Sequence, residues 1–203
     1  MHITVISGSH RRDGQSHKVA AYLAHQCEKL FDATTWVMKL SDIDLPLWEE
    51  GVWQGDAIWK ERLAPIKDEL KKADGVIVVA PEYNGMASAA VKNFFLCAGA
   101  AELGHKPGLL VGVSAGTGGT MPIAELRMSS YKNCRINYIP EHLIVRNAAR
   151  VLNYSSEDND AKDDDYIRGR IDFALGVFEE YAKALRSVRM SGRITHEKYP
   201  NGM

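Results

Sequence analysis

Val76-Ile77-Val78-Val79-Ala80-Pro81-Glu82-Tyr83-Asn84-Gly85 is the stretch from which the rest of the chain is read. Its first five residues are apolar, rich in β-branching and without polar alternation. That is the pattern of a strand buried on both faces, as in the centre of a parallel sheet. Pro81 donates no ladder hydrogen bond, so the strand is expected to stop there. Tyr83 brings an aromatic face, and Asn84-Gly85 is a turn signal at which backbone comes close to a ligand. Helical spacing resumes from Ala87 to Ala98. An aromatic, glycine-bearing loop at the carboxyl end of a central strand stands where open α/β sheets bind ligands. Taken alone, the same letters also suit an ordinary strand-to-helix turn.

A second such junction lies at the start. Ile3 to Ser7 reads as a strand, followed by Gly8-Ser9-His10-Arg11-Arg12-Asp13-Gly14-Gln15-Ser16. Val19, Ala20, Leu23, Cys27, Leu30 and Phe31 then recur at helical spacing, so a helix is expected from about Ser16, with Ser16 as N-cap. Unpaired N–H groups and the dipole at a helix start favour an anion, by about 0.3–1 kcal/mol per unit charge. Ser9 and Ser16 add hydroxyls, and Arg11 or Arg12 adds charge-assisted bonds. A phosphate monoester suits that cradle. The loop lacks the Gly-Lys-Ser/Thr ending of a Walker loop and the later glycines of a dinucleotide fingerprint.

The strand from Leu109 to Val113 ends in Ser114-Ala115-Gly116-Thr117-Gly118-Gly119-Thr120. That small loop reads as backbone approaching the edge of a flat ligand, and Ile123, Leu126 and Met128 suggest a helix after it. Further strands are expected at Thr34 to Leu40 and His142 to Val145. A helix is expected from Ile58 to Lys72 and another along Ile167, Ile171, Leu175, Phe178, Tyr181 and Leu185. Residues 41–56 form a long irregular stretch whose Trp48 and Trp53, with Trp59, are expected to pack it onto the domain. The acidic run Glu157 to Asp165 has no defensible metal-ligand spacing and reads as a solvated loop that caps the last helix. Residues 1–188 read as one domain and 189–203 as a tail.

With 203 residues, 45% hydrophobic content and a formal charge of -1, the chain has enough material for a sizeable core. No basic tract points to nucleic acid or a membrane surface, and no apolar run is long enough to span a bilayer. The opening Met1-His2-Ile3-Thr4-Val5-Ile6 leads straight into a strand pattern rather than a secretory signal. Cys27, Cys97 and Cys134 are odd in number and widely spaced, which suits buried thiols in a reducing cytoplasm.

Strands alternate with helices five times. The expected architecture is a flavodoxin-like, doubly wound five-stranded parallel sheet of order 2-1-3-4-5, helices on both faces. Its switch point brings the loops after the first and third strands together, with the loop after the fourth as a rim. A flat ligand bearing one phosphate fits all three, which points to FMN.

Gly8-Ser9-His10-Arg11 with Ser16, and Pro81-Glu82-Tyr83-Asn84-Gly85 followed by Val91-Lys92-Asn93, make the sequence resemble the NAD(P)H-dependent FMN reductases. That family has chromate-, quinone- and azo-dye-reducing members. The resemblance implies that Ser9, His10, Arg11, Ser16 and His17 surround the FMN phosphate. It implies that Pro81, Glu82, Tyr83, Asn84 and Gly85 hold the isoalloxazine ring, and that Ser114, Ala115, Gly116, Thr117 and Gly118 meet its pyrimidine side. His17 stands where the family often has Asn, and Ser88 where it often has Pro. The resemblance also implies NAD(P)H as co-substrate, a small-molecule electron acceptor, and a homodimer or homotetramer built on the helices after the third and fourth strands. The cofactor carries the chemistry, so no side chain is named as catalytic. A flavodoxin-type carrier is the alternative, but such carriers are strongly acidic and use a Thr-rich phosphate loop. A flavin-binding module without turnover is a second alternative.

Overall fold

The computed structural model describes residues 1–202. Along the chain it places β1 (His2–Ser7), α1 (Gln15–Phe31), β2 (Thr34–Lys39), the short α2 (Gly51–Gln54), α3 (Ala57–Lys72), β3 (Gly75–Tyr83), β4 (Met86–Ala87), α4 (Ala89–Cys97), the short α5 (Ala100–Leu103), β5 (Pro107–Val113), α6 (Thr120–Ser129), β6 (Asn137–Val145) and α7 (Ala161–Arg189). The five long strands are parallel, in the order β2-β1-β3-β5-β6, and β4 pairs only with β3. Setting the two-residue β4 aside, this is the expected order.

Alternation along β3 divides the core in two. Ile77 and Val79 face α1 and α7, packing with Leu23, Cys27, Leu175 and Phe178. Val76, Val78 and Ala80 face α3, α4 and α6, packing with Leu70, Phe94 and Leu126. Residues 76–80 are all fully buried, which explains why no polar letter interrupts the run. Burying each larger side chain contributes about 1.5–3 kcal/mol.

The strand does not stop at Pro81. It continues to Tyr83, with Pro81 in register with Val113 of β5. Gly8 donates to the Val79 carbonyl at 2.8 Å, so Val79 turns its polar groups toward β1. Pro81, two residues on, faces the same way, but β1 ends at Ser7. Its missing N–H therefore has no ladder partner to lose. The chain then reverses through Asn84 (φ 51°) and Gly85 (φ 73°) into β4, pairing Glu82 with Ala87 and Tyr83 with Met86. Positive φ at both central residues is what a two-residue type I′ hairpin requires. The helix expected from Ala87 therefore begins at Ala89, with the Ser88 hydroxyl accepting the Val91 N–H.

At α1, Gly14 and not Ser16 is the N-cap, and Ser16 lies buried in the first turn. The preceding loop folds so tightly that a Cβ on Gly14 would lie 2.4 Å from Ser9 Oγ. A side-chain cap has no room there. β6 is longer than expected: its regular half pairs Leu110–Val113 with His142–Val145, and an irregularity separates this from the Gly108–Tyr138 pair. Ile123, Leu126 and Met128 do lie on a helix, α6, of which Ile123 and Leu126 are buried and Met128 is exposed.

Residues 41–56 are pinned by Asn93, whose side chain accepts the Trp48 N–H at 2.7 Å and donates to the Pro46 carbonyl at 2.8 Å. Trp59 is core and Trp48 half-buried, as expected, but Trp53 is largely exposed and touches the domain through the Trp48 ring. The acidic run ends by capping α7, Asp160 accepting the Asp163 N–H. Among the described residues no three metal-type side chains cluster, and no helix is long and apolar enough to cross a membrane. All three cysteines are buried and free, and burial pushes the Cys27 thiol up to about 12. Beyond α7 the chain turns back over the amino edge of the sheet, where Arg135 donates to the Tyr199 carbonyl and His196 stacks on His105. Met203 lies outside the described residues.

Candidate functional site

Three loops meet at the carboxyl edge of the sheet, and side chains tie each to another. The Ser9 and Tyr83 hydroxyls lie 2.8 Å apart, joining the loop after β1 to the end of β3. Ser88 donates to the Gly8 carbonyl at 2.6 Å, a second tie between the same regions. Glu82 accepts the Gly119 N–H at 2.6 Å, binding β3 to the loop after β5. That third loop is also fastened to the exit of β6, where the Asn147 and Ala148 N–H groups donate to the Gly116 and Ser114 carbonyls.

Within the first loop, Ser9 Oγ accepts the Arg11 N–H at 3.1 Å. His17 stands behind it, Nε2 2.7 Å from the Arg11 carbonyl and Nδ1 2.7 Å from Ser7 Oγ. Both ring nitrogens are thus engaged by protein, and His17 is a strut of the loop. The His10 ring meets Tyr83 edge-on, with centroids 5.1 Å apart. His10, Arg11 and Arg12 are exposed, and Ser16, a residue only 2% exposed, makes no side-chain hydrogen bond to protein among the described residues. The early N–H groups of α1 open toward the same loop, which suits an anion.

The second loop offers the exposed Asn84-Gly85 turn beside the half-buried Tyr83. Glu125 steadies it from α6: its carboxylate accepts the Ala87 N–H at 2.8 Å and pairs with Lys92 at 2.7 Å. The Lys92 bond, then the Ala87 N–H, hold the Glu125 carboxyl below its usual range. In the third loop, Ala115, Gly116 and Thr117 are exposed. The structure therefore sorts the sequence-derived residues. His10, Arg11, Asn84, Gly85 and 115–117 are exposed at the three-loop edge, while Ser9, Ser16, His17 and Pro81 are buried and Glu82, Tyr83, Ser114 and Gly118 are half-buried beneath it.

Sequence reasoning missed several supports. Lys18 Nζ donates to the Ala148 and Val151 carbonyls and to Asn153 Oδ1, at 2.7, 2.8 and 2.6 Å. It fastens α1 to the segment that holds the third loop. Burial lowers its pKa, opposed by Asp164. Neither Lys18 nor Glu125 carries a local signal, since their partners lie far along the chain. The Ser88 cap was missed too, although a serine three residues before the N–H it accepts is a signal the sequence carries.

A family model described as NADPH-dependent FMN reductase matches residues 1–150. An NADPH azoreductase of Bacillus sp. (strain OY1-2) is 32% identical over 146 residues, covering 71% of this chain and 76% of that relative. A 2-hydroxy-1,4-benzoquinone reductase of Burkholderia sp is 30% identical over 156 residues, covering 73% and 81%. Among solved structures, a flavoenzyme NAD(P)H:(acceptor) oxidoreductase from Paracoccus denitrificans superposes with a TM-score of 0.67 at 23% identity, over 89% of this chain and 98% of that one. At that identity the likeness speaks for the fold.

Proposed function

Because the chain belongs to the NADPH-dependent FMN reductase family, we propose that the three joined loops at the carboxyl edge bind FMN and that the protein reduces quinones or azo compounds with NAD(P)H. The interlocked loops carry the reading, above all the Ser9–Tyr83 bond, which couples the anion cradle to the aromatic shelf. FMN held there would supply the two-electron redox chemistry between NAD(P)H and the acceptor.

The chain's own residues bind and orient. Ser9, His10, Arg11 and Ser16, with His17 behind them, surround the phosphate. Pro81 to Gly85 shelve the ring, and Ser114 to Gly118 meet its polar edge, where backbone N–H groups favour added negative charge. Asn84 and Gly85 are exposed, so a ring held beside them would be reachable by donor and acceptor in turn. The acceptor class follows the azoreductase and quinone reductase relatives.

We place the protein in the cytoplasm, where its three buried thiols stay reduced. Residues 1–188 act as the FMN-binding domain and the residues after them as a tail. A homodimer or homotetramer through α4 and α6 suits the groove of about 400 Å³ between them, lined by Phe95, Leu96 and Leu126. The apolar Leu96 side chain is exposed there.

The test begins with purified protein reconstituted with FMN or FAD, followed by NAD(P)H oxidation at several quinone concentrations. FMN retention with parallel double-reciprocal lines is expected. Retention of FAD alone, or no oxidation with any acceptor, overturns the reading, and intersecting lines reject a shared ring face.

A further inference from the structure

His17 is the third residue of α1 and is only 8% exposed. Its ring is bracketed by Ser7 Oγ at Nδ1 and by the Arg11 carbonyl at Nε2, with Ser41 Oγ 3.3 Å from Nε2. A carbonyl only accepts, so Nε2 carries a proton. In the neutral ring Nδ1 then accepts from the Ser7 hydroxyl. Ser7 is the last residue of β1, so the ring anchors the loop to the sheet.

A trans peptide is planar, with its C=O and N–H pointing in opposite directions. The Arg11 carbonyl points inward at His17, so the Arg12 N–H of the same peptide points away from the ring. That N–H has no protein partner among the described residues. The peptide before Arg11 is fixed as well, its N–H held by Ser9 Oγ. Both peptides flanking Arg11 are therefore set before any ligand arrives.

We propose that His17 is a positioning residue for phosphate. By holding the Arg11 carbonyl it aims the Arg12 N–H at the anion and fixes where the Arg11 side chain starts, without itself touching the ligand. This rests on the FMN reading above. Preorganisation of this kind strengthens binding by removing the cost of ordering the loop, and its effect is confined to ligands that carry the phosphate.

The experiment titrates FMN and riboflavin, which share a ring and differ in the phosphate, against wild type, His17→Gln and His17→Leu. Glutamine can place an amide N–H where Nε2 stands; leucine cannot. Loss of one hydrogen bond of this kind corresponds to about tenfold in affinity. His17→Leu is expected to weaken FMN by about that factor, with riboflavin changed less than about twofold, and His17→Gln is expected to recover most of the loss. Equal losses for both ligands, no loss, or failure of glutamine to rescue overturns the proposal. Should His17→Leu not fold by circular dichroism, Ser7→Ala decides. It frees the ring from β1 and is expected to give a smaller loss selective for FMN, whereas an unselective or absent loss is again contrary. A wild type that fails to prefer FMN over riboflavin instead overturns the FMN reading itself, whatever the variants do.

Discussion

Arg11 and Arg12 are adjacent and both exposed, yet only Arg11 has its two flanking peptides held, by Ser9 and by His17. A side chain rooted in fixed backbone loses less freedom on pairing with a phosphate. Arg11→Ala is therefore expected to weaken FMN binding by roughly 1.5–3 kcal/mol, the range for hydrogen bonds to charged groups, and Arg12→Ala by less. Flavin fluorescence titrations in moderate salt measure both, and equal negligible losses would show a merely solvated loop. Gly85 makes the opposite kind of contribution, through what it lacks. Nothing lies within 4 Å of a Cβ built there, so the position is open, but its φ of +73° is one that β-branched residues rarely adopt. Gly85→Val is expected to destabilise the apoprotein by about 1–3 kcal/mol from backbone strain and to lower affinity for riboflavin as well as FMN. Gly85→Asn should be milder, since Asn tolerates that conformation. Urea denaturation of the two variants tests this, and equal losses would exclude φ as the cause.

Elements show where the sequence was legible. β3 and β5 were, because burial on both faces leaves runs of apolar letters that only a central strand explains. The loops after β1, β3 and β5 followed from that reading, since parallel topology forces them to one edge. Pro81 misled, because a proline letter does not reveal that the neighbouring strand has already ended beside it. The first half of β6 escaped for a related reason: Pro140 and the irregular register break its apolar pattern. Walls and rim of the site were indistinguishable in the sequence, since Glu82 reads as a loop residue until its bond to the Gly119 N–H is seen. Lys18 shows most plainly what periodicity misses. It reads as a polar position of an amphipathic helix, but it joins α1 to 148–153 through three bonds. Lys18→Met keeps the stem and removes the donor. It is expected to cost about 2–3 kcal/mol in urea denaturation and to loosen the 114–118 loop, seen as faster amide exchange there. An unchanged midpoint would mean that water replaces the ammonium without loss.

On the scale of the whole molecule the two edges of the sheet do different work. The carboxyl edge carries the exposed groups of the three loops, while the amino edge buries charge for structure. Lys106, at the start of β5, is 5% exposed and donates to the Leu70 and Lys71 carbonyls at the end of α3. Arg189, Asp74 and Glu102 are the charges around it, and burial, reinforced by Arg189, lowers its pKa from 10.5 to about 8. Below pH 8 the lysine is protonated in both folded and unfolded chains, and the folded form bears the full desolvation cost. Between pH 8 and 10.5 the folded protein has released that proton while the unfolded chain still holds it. Unfolding then takes up a proton, so this group makes stability rise with pH across that window and contributes no slope above it. Lys18 acts with the same sign, so the isolating measurement is the difference between wild type and Lys106→Met. That difference is expected to shift in favour of wild type between pH 8 and 10.5, on the order of 2 kcal/mol once partial solvent screening is allowed for. Urea midpoints taken at half-unit pH intervals give the curve. A difference that stays flat with pH would show that Lys106 keeps its ordinary pKa in the folded protein, with water reaching the ammonium beneath the end of α3.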